Sequence, residues 1–277
     1  MKPDIIFADF YDLCITGKHE PTKQNLVNKR PILKLSANTY DANALLCKLH
    51  EISALTNDKL LPLTKKDLEN LYDQRMVNGP GRSIYDQLLV SAKKDGCCFC
   101  SYEEPTELDH FLPKTVFPEF SILPFNLIPI CHRCNKLKST YVPEKSEKSY
   151  IHPYYEICDS MIWLNAVVNF ELDAAPTVTY HIAEEIADSD PDLAKRIQFQ
   201  FKELQLNYRY SLRATIEISG IAYKLEKLFA DGGKNNVCNY LKEEAESREE
   251  INQNSWQTAL YNCLYRSDEF CNVGWSL

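Results

Sequence analysis

Four cysteines, an Asp–His pair and two asparagines crowd into the stretch from Cys97 to Tyr141. Cys97 and Cys100 form one Cys-x-x-Cys knuckle and Cys131 and Cys134 a second. Two such pairs roughly thirty residues apart have the ligand spacing of a closed tetrahedral structural zinc site. Four thiolates saturate that ion and leave no open position for water or substrate, so any chemistry must come from side chains the zinc holds in place. Asp109 and His110, lying between the knuckles, are the candidates. Cys98, inside the first knuckle, breaks the two-residue spacing in any alternative register and reads as a packed free thiol.

Leu108-Asp109-His110 followed by Pro113, then Asn126-Leu127, then Cys131-x-x-Cys134-Asn135-x-x-Lys138, resembles the HNH or ββα-metal endonucleases in their four-cysteine zinc variant. The flanking stretches Gly81-Arg82-Ser83-Ile84-Tyr85, His152-Pro153-Tyr154-Tyr155 and Asn254-Ser255-Trp256-Gln257-Thr258 are similar to a bacterial subgroup found in anti-phage and anti-plasmid defence systems, Septu-like HNH subunits among them. The resemblance makes His110, Asn126 and Asn135 the three signature letters, with Asn in place of the frequent His at the third. It implies an endonuclease that leaves a 5′-phosphate and a 3′-hydroxyl, with an ATPase or other regulatory protein as partner.

The residues support that chemistry in their own right. Phosphodiester hydrolysis needs an activated water, a Lewis acid at the phosphate and a stabilised leaving oxygen, and one divalent cation beside a His can supply all three. Asp109 and Asn135 offer hard oxygens, a sparse pair that suits Mg2+ (or Mn2+) better than a soft metal. If Asp109 and His110 share a strand their side chains point to opposite faces, one toward the metal and one toward the water. The resemblance implies that Asn126 hydrogen-bonds the connecting loop or orients the catalytic ring rather than binding metal. The expected catalytic set is therefore His110, Asp109, Asn126 and Asn135. His132 is expected to face solvent or phosphate, and His152, in a His-Pro pair, to be structural.

At 277 residues, 44% hydrophobic and 25% charged, the chain can bury one large core or two modest ones. No run of eighteen apolar residues suggests a membrane span, and Asp4, Asp9 and Asp12 interrupt the early apolar segment. Eleven cysteines without framework spacing point to a reducing cytoplasm. A net charge of −8 argues against a free-standing, high-affinity nucleic-acid binder. Between Leu112 and Tyr150, however, Lys114, Arg133, Lys136, Lys138, Lys145 and Lys148 outnumber Glu119, Glu144 and Glu147. Lys114, Arg133, Lys136 and Lys138 are the candidate nucleic-acid contacts, and Arg196, Arg209 and Arg213 a further set. The helical C-terminal region, with Trp256, is the expected docking surface for a partner.

These residues must be positioned by a strand from Glu107 to Phe111, a proline-pinned loop from Leu112 to Phe125, a strand from Asn126 to Ile130 and a helix starting near Cys131. The loop residues Val116, Phe117, Phe120, Ile122 and Leu123 are too apolar to stand in solvent. Upstream, Thr64 reads as the N-cap of a helix running to about Met76, and Ser83 as the cap of the next. The Pro- and Lys-punctuated segment before Ala37 has no clear assignment. Downstream, Val168–Leu172 and Thr177–Ile182 read as a hairpin. Helices follow from Asp190-Pro191, from Tyr208 to a stop at Gly232-Gly233, from Val237 to Ala245 and from Glu250 to Tyr265.

The expected fold is α+β and mostly helical, with a ββα-metal nuclease core and its four-cysteine zinc site embedded between helical regions. Residues 1–95 form a mainly helical N-terminal region, 96–150 the nuclease core, and 151–277 a β-hairpin with a helical C-terminal region. The function expected is metal-dependent cleavage of DNA. The alternatives are cleavage of RNA by the same site, or a zinc-stapled binding or assembly subunit without catalysis, which the joint presence of Asp109, His110, Asn126 and Asn135 opposes.

Overall fold

Apolar side chains at Leu26, Leu33, Ala37, Tyr40 and Ala44 recur at helical spacing, and in the computed structural model, which describes residues 2–91, 96–156, 158, 161–172 and 174–275, they form the buried stripe of one long helix. That helix, α2 (Thr22–Leu45), follows α1 (Phe7–Ile15), whose Phe10, Tyr11 and Cys14 are buried. Pro31 lies inside α2 but on its exposed side, so its missing N–H does not cost a buried bond. The segment left unassigned in the sequence, before Ala37, is thus helical over Phe7–Ile15 and again from Thr22. Tyr11 ties the two helices by donating its hydroxyl to the carbonyl of Leu26 at 2.9 Å.

The chain divides into two units, Met1–Phe99 with Glu103–Ile157, and Cys100–Tyr102 with Cys158–Leu277. In the first, a short α3 (Asn57–Leu60) precedes α4 (Lys65–Asn70). Thr64 caps α4 in a full capping box with Asp67. The helix then continues as a π-helical turn, Leu71–Val77, and ends before Gly79-Pro80-Gly81, within the expected bounds. The helix α5 (Arg82–Val90) follows; Gly81 occupies its cap position, so Ser83 lies inside the first turn and is not the cap. An added Cβ at Gly81 would meet Met76 Cα at 3.0 Å and Cys14 Sγ at 3.1 Å, so this tight passage leaves little room for a side chain.

Two short strands, β1 (Glu107–His110) and β2 (Leu127–Ile130), pair antiparallel with His110 opposite Leu127 and Glu107 opposite Ile130. The helix α6 (His132–Lys138) comes directly after. The loop from 111 to 126 is drawn into two 3-10 turns, Pro118–Phe120 and Pro124–Asn126, and buries Phe117, Phe120, Ile122 and Leu123; Val116 remains exposed.

The second unit holds the antiparallel hairpin β3 (Leu164–Asn169) and β4 (Thr177–Ile182), then α7 (Glu185–Ser189), α8 (Pro191–Glu203), α9 (Leu206–Glu249), α10 (Trp256–Arg266) and α11 (Asp268–Cys271). β3 begins four residues earlier than the alternation of Val168, Phe170 and Leu172 suggests, because Asn169 pairs with Thr177 and Leu172 is left exposed in the connection. Asp190 caps α8 by accepting from Leu193 N at 3.0 Å. The dihedrals of α9 leave helical values at Gly232 and Gly233, the latter with φ +65°, a conformation that a side chain would strain, so two helical stretches meet at the Gly-Gly stop. α10 starts at Trp256 rather than Glu250, capped by Ser255. Among the described residues no helix is long and apolar enough to cross a membrane.

Candidate functional site

β1 is an edge strand whose free side is closed by two tyrosines. Phe111 N donates to Asn126 O at 2.7 Å, and in this register that makes Leu108, opposite Pro129, a residue whose backbone groups face away from β2. Pro129 can occupy a strand here because its missing N–H would also face away from the ladder. Tyr72, from the π-helical turn, donates to Leu108 O at 2.8 Å, and Tyr85, from α5, accepts from Leu108 N at 3.3 Å. The next two residues, Asp109 and His110, are therefore held on a backbone with both edges satisfied.

The alternation along β1 sends His110 inward and leaves Asp109 half-buried. The His110 imidazole is 5% exposed, meets the Tyr72 ring edge-on at 4.5 Å between centroids, and places Nε2 2.8 Å from the carbonyl of Ser121. A carbonyl only accepts, so Nε2 carries the proton and Nδ1 is the basic nitrogen. Nδ1 accepts no hydrogen bond among the described residues. Burial lowers the imidazole pKa to about 4, opposed by the charge of Asp109 and by the bond to Ser121, so the ring is neutral at physiological pH.

Asn126 is fully buried and binds the loop rather than the imidazole. Its Oδ1 accepts from Leu112 N at 2.7 Å, while Nδ2 donates to Leu112 O at 2.9 Å and Phe120 O at 3.3 Å. It thereby closes the ends of the loop that presents the Ser121 carbonyl to His110. Asn135 and Lys138, three apart on α6, share a helical face. Lys138 reaches β1, donating to Asp109 Oδ2 and to His110 O, each at 2.7 Å. Asn135 is half-buried and its side-chain amide makes no hydrogen bond among the described residues.

The expected nucleic-acid contacts separate in the structure. Lys136 is exposed and Arg133 half-buried on α6. Lys114 pairs with Asp73 at 2.5 Å and lies 4.5 Å from the centre of the Tyr72 ring. Lys138, expected at a phosphate, is 2% exposed with its ammonium turned inward. His132 is exposed, 3.4 Å from Glu107. His152 is a core residue, stacked on Phe111 at 4.2 Å with Nε2 3.0 Å from Tyr40 Oη. In the second unit Arg196 and Arg209 are buried, which removes them as phosphate contacts, and the Arg213 guanidinium lies 5.1 Å from the centre of the Tyr102 ring. Trp256 is 8% exposed, so it belongs to the core and not to a docking surface.

The sulfurs of Cys97, Cys100, Cys131 and Cys134 are buried and all lie within 4.8 Å of one another. Tetrahedral zinc with Zn–S bonds of about 2.3 Å sets sulfurs about 3.8 Å apart, so four thiolates in this arrangement fit that ion. Local geometry supports the knuckles. Gly96 takes φ +94°, where a Cβ would meet Glu103 O at 2.8 Å, and Cys97 N donates to Glu103 O at 2.8 Å. Cys131 caps α6, its sulfur accepting from Cys134 N at 3.4 Å, and Cys131 N donates to Cys97 Sγ at 3.3 Å. The second knuckle thus opens α6, with Cys131 as the cap and Cys134 in the first turn, which would couple a bound zinc to the helix carrying Asn135 and Lys138. The Asp109 carboxylate and the Asn135 amide oxygen, both half-buried, are hard donors of the kind a divalent cation such as Mg2+ takes.

The α6 face of Asn135 and Lys138 is turned back toward Asp109, as their spacing predicts, whereas Tyr72 and Ser121 lie outside the expected site residues. Tyr85 stands in the motif ahead of the first knuckle and Tyr72 in the stripe of its helix, but nothing in a sequence marks a tyrosine that serves another segment's backbone. Ser121 acts on His110 through its carbonyl, which any residue type carries.

No known protein-family model matches the chain. No solved structure matches it. A stretch of 70 residues is 33% identical to the Septu protein PtuB of Bacillus thuringiensis, covering 24% of this chain and 27% of that protein. Over 224 residues, 75% of this chain and 74% of the relative, it is 30% identical to protein ea31 of Escherichia phage lambda. With similarity of that depth over three quarters of both proteins, the chain belongs to the family of the phage lambda protein ea31.

Proposed function

We propose that the chain is a divalent-cation-dependent HNH endonuclease that hydrolyses phosphodiester bonds of DNA in a defence role. The observation that carries this reading is His110: a buried, neutral imidazole whose tautomer is set by Ser121, directly beside a half-buried carboxylate on one strand. A histidine that only filled the core would not need its neighbour to be an acid facing an Asn-bearing helix. The order strand, loop, strand, helix supports reading this segment as a ββα-metal core.

In this reading Nδ1 of His110 takes the proton from the attacking water, and the Nε2 bond to Ser121 keeps the ring oriented as charge develops. Asp109 and Asn135 would hold the cation, which when bound supplies positive charge at the scissile phosphate. The imidazole, with a pKa of about 4, is a weak base on its own. A polyanionic substrate alongside it raises its proton affinity, whereas a cation held by the neighbouring Asp109 lowers it. Arg133 and Lys136 place phosphates without reading bases. The defence role rests on the family resemblance and on the stretch shared with the Septu protein PtuB. The net charge of −8 favours an accessory protein such as an ATPase that brings the nuclease to its target.

The test is incubation of the zinc-loaded protein with plasmid, single-stranded DNA and total RNA, with and without Mg2+, alongside His110→Ala and Asp109→Asn. Mg2+-dependent cleavage of DNA that both variants abolish is expected. Cleavage restricted to RNA moves the substrate, and wild-type rates in His110→Ala remove it as the base.

A further inference from the structure

Lys138 is buried, yet its ammonium is neither solvated nor available to a phosphate. It makes two 2.7 Å bonds, to Asp109 Oδ2 and to the backbone carbonyl of His110. Its side chain is 1% exposed and that of Asp109 16%. A buried ammonium is costly without partners, and here its partners are the Asp109 carboxylate and a backbone carbonyl. The same ammonium touches both residues of the Asp109–His110 pair, one through its side chain and the other through its backbone. Only one carboxylate oxygen is engaged; the other accepts no hydrogen bond among the described residues.

We propose that Lys138 is a positioning residue for the cation site. It fixes the Asp109 carboxylate by one oxygen, leaves the second as the donor, and through its positive charge keeps cation affinity low enough for the ion to be held jointly with substrate phosphate. This rests on the nuclease reading, since it assigns Asp109 to a cation. A single carboxylate shared with an ammonium binds a divalent ion weakly. Polyanionic substrate then supplies the missing charge, as is usual for Mg2+ sites that rely on substrate phosphates. Without Lys138 the carboxylate would turn freely and offer both oxygens, binding the cation more tightly but in a less defined place, and misplacement by about an ångström is costly to a reaction that depends on alignment.

Mn2+ binding to the zinc-loaded protein, followed by the loss of the free-ion electron paramagnetic resonance signal, tests this without any substrate. Asp109→Asn should abolish the site. Lys138→Met should tighten Mn2+ binding at least about tenfold, because a unit charge a few ångströms from a carboxylate weighs heavily even at the effective dielectric of a protein. Lys138→Gln, which keeps a hydrogen-bond donor without the charge, should tighten it likewise and serves if the Met variant is unstable. Lys138→Arg, which keeps the charge, should stay within about threefold of wild type. In cleavage assays Lys138→Met should lower both kcat and the Mn2+ concentration for half-activation, a split that mere loss of stability does not produce. Mn2+ affinity unchanged within about twofold in both neutral variants overturns the proposal and leaves the nuclease reading standing. An Asp109-dependent Mn2+ site missing from wild type and from both neutral variants alike overturns both. If instead Lys138→Met leaves Mn2+ binding alone and reduces the salt slope of DNA binding by about one, Lys138 is a phosphate contact and the proposal fails.

Discussion

Two buried asparagines, one in each unit, do the same work on different segments. Asn126 closes the loop from Leu112 to Phe120 with bonds of 2.7, 2.9 and 3.3 Å to backbone groups. Asn254, beside the Ser255 cap of α10, accepts from Trp163 N at 2.7 Å and Leu164 N at 3.3 Å and donates to Met161 O at 3.0 Å and Cys158 O at 3.2 Å, pinning the entry to β3. Each satisfies backbone groups that would otherwise be buried without partners. The segments they secure differ. The Asn126 loop delivers the Ser121 carbonyl to the His110 ring beside a carboxylate, whereas the Asn254 segment delivers backbone to the start of β3. A buried polar side chain in a recognisable motif is therefore evidence of a fixed loop, and only what that loop presents says whether the motif bears on chemistry.

The two loops should part first at the zinc knuckles, which flank the Asn126 loop in sequence and are absent from the β3–β4 hairpin. Cys97→Ser or Cys134→Ser should abolish recovery of soluble folded protein or strip its metal, since structural zinc contributes on the order of 10 kcal/mol to folding of small sites. Metal analysis should find about one zinc per wild-type chain, and folded protein free of zinc would refute the assignment.

A second expectation separates the two units by pH. The folded-state pKa of His110 is depressed to about 4 from about 6.5, so the unfolded chain binds more protons in that interval. Stability from this group is fully present above about 6.5 and is lost as pH falls toward 4, amounting to roughly 3 kcal/mol. Chemical denaturation from pH 7 to 4 should show a steeper loss in wild type than in His110→Asn. Equal slopes would mean that His110 is not buried as described.

The two asparagines should then cost similar stability and different activity. Asn126→Ala and Asn254→Ala are each expected to lower stability by about 2–3 kcal/mol, through backbone groups left without partners. Below the melting range only Asn126→Ala should lose cleavage, by about tenfold or more, because the Ser121 carbonyl is no longer held against His110. Equal loss of cleavage in the two would erase the distinction.

The smallest effect is at the surface of α6. Arg133→Ala and Lys136→Ala should each weaken DNA binding without regard to sequence and reduce its salt slope by about one, with stability changed by less than about 0.5 kcal/mol. A dependence on base sequence would mean that α6 reads bases as well as phosphates.

Much of the secondary structure was legible because its determinants are local. Thr64 with Asp67, Asp190 before Pro191, and Gly232-Gly233 declare helix ends by their own side chains or lack of them. The strands around Asp109 and Leu127 follow from short apolar runs set off by prolines, and the cysteine spacing led directly to the cluster of four sulfurs. The errors share a cause. Ser83, Val168–Leu172 and Glu250 carried plausible local signals, yet close packing at Gly81, the pairing of Asn169 with Thr177 and the Ser255 cap set the boundaries elsewhere. The α2 helix was hidden by Pro31, whose cost vanishes only because that turn faces outward.

What the chain determined by itself was therefore the inventory and its order: four thiols at zinc spacing, an acid next to a histidine, an asparagine on either side of the second strand, and an acidic body with a locally basic segment. Only the tertiary structure decided what each charge meets. Lys138, Arg196 and Arg209 look like surface cations in sequence and are buried; Trp256 looks like an exposed anchor and is core. Spacing along a chain encodes which face of a helix a residue occupies, but not what packs against that face. The ionisation of His110 and the pairing of Asp109 with Lys138 arise from segments up to 38 residues apart, Tyr72 to His110, brought together by folding.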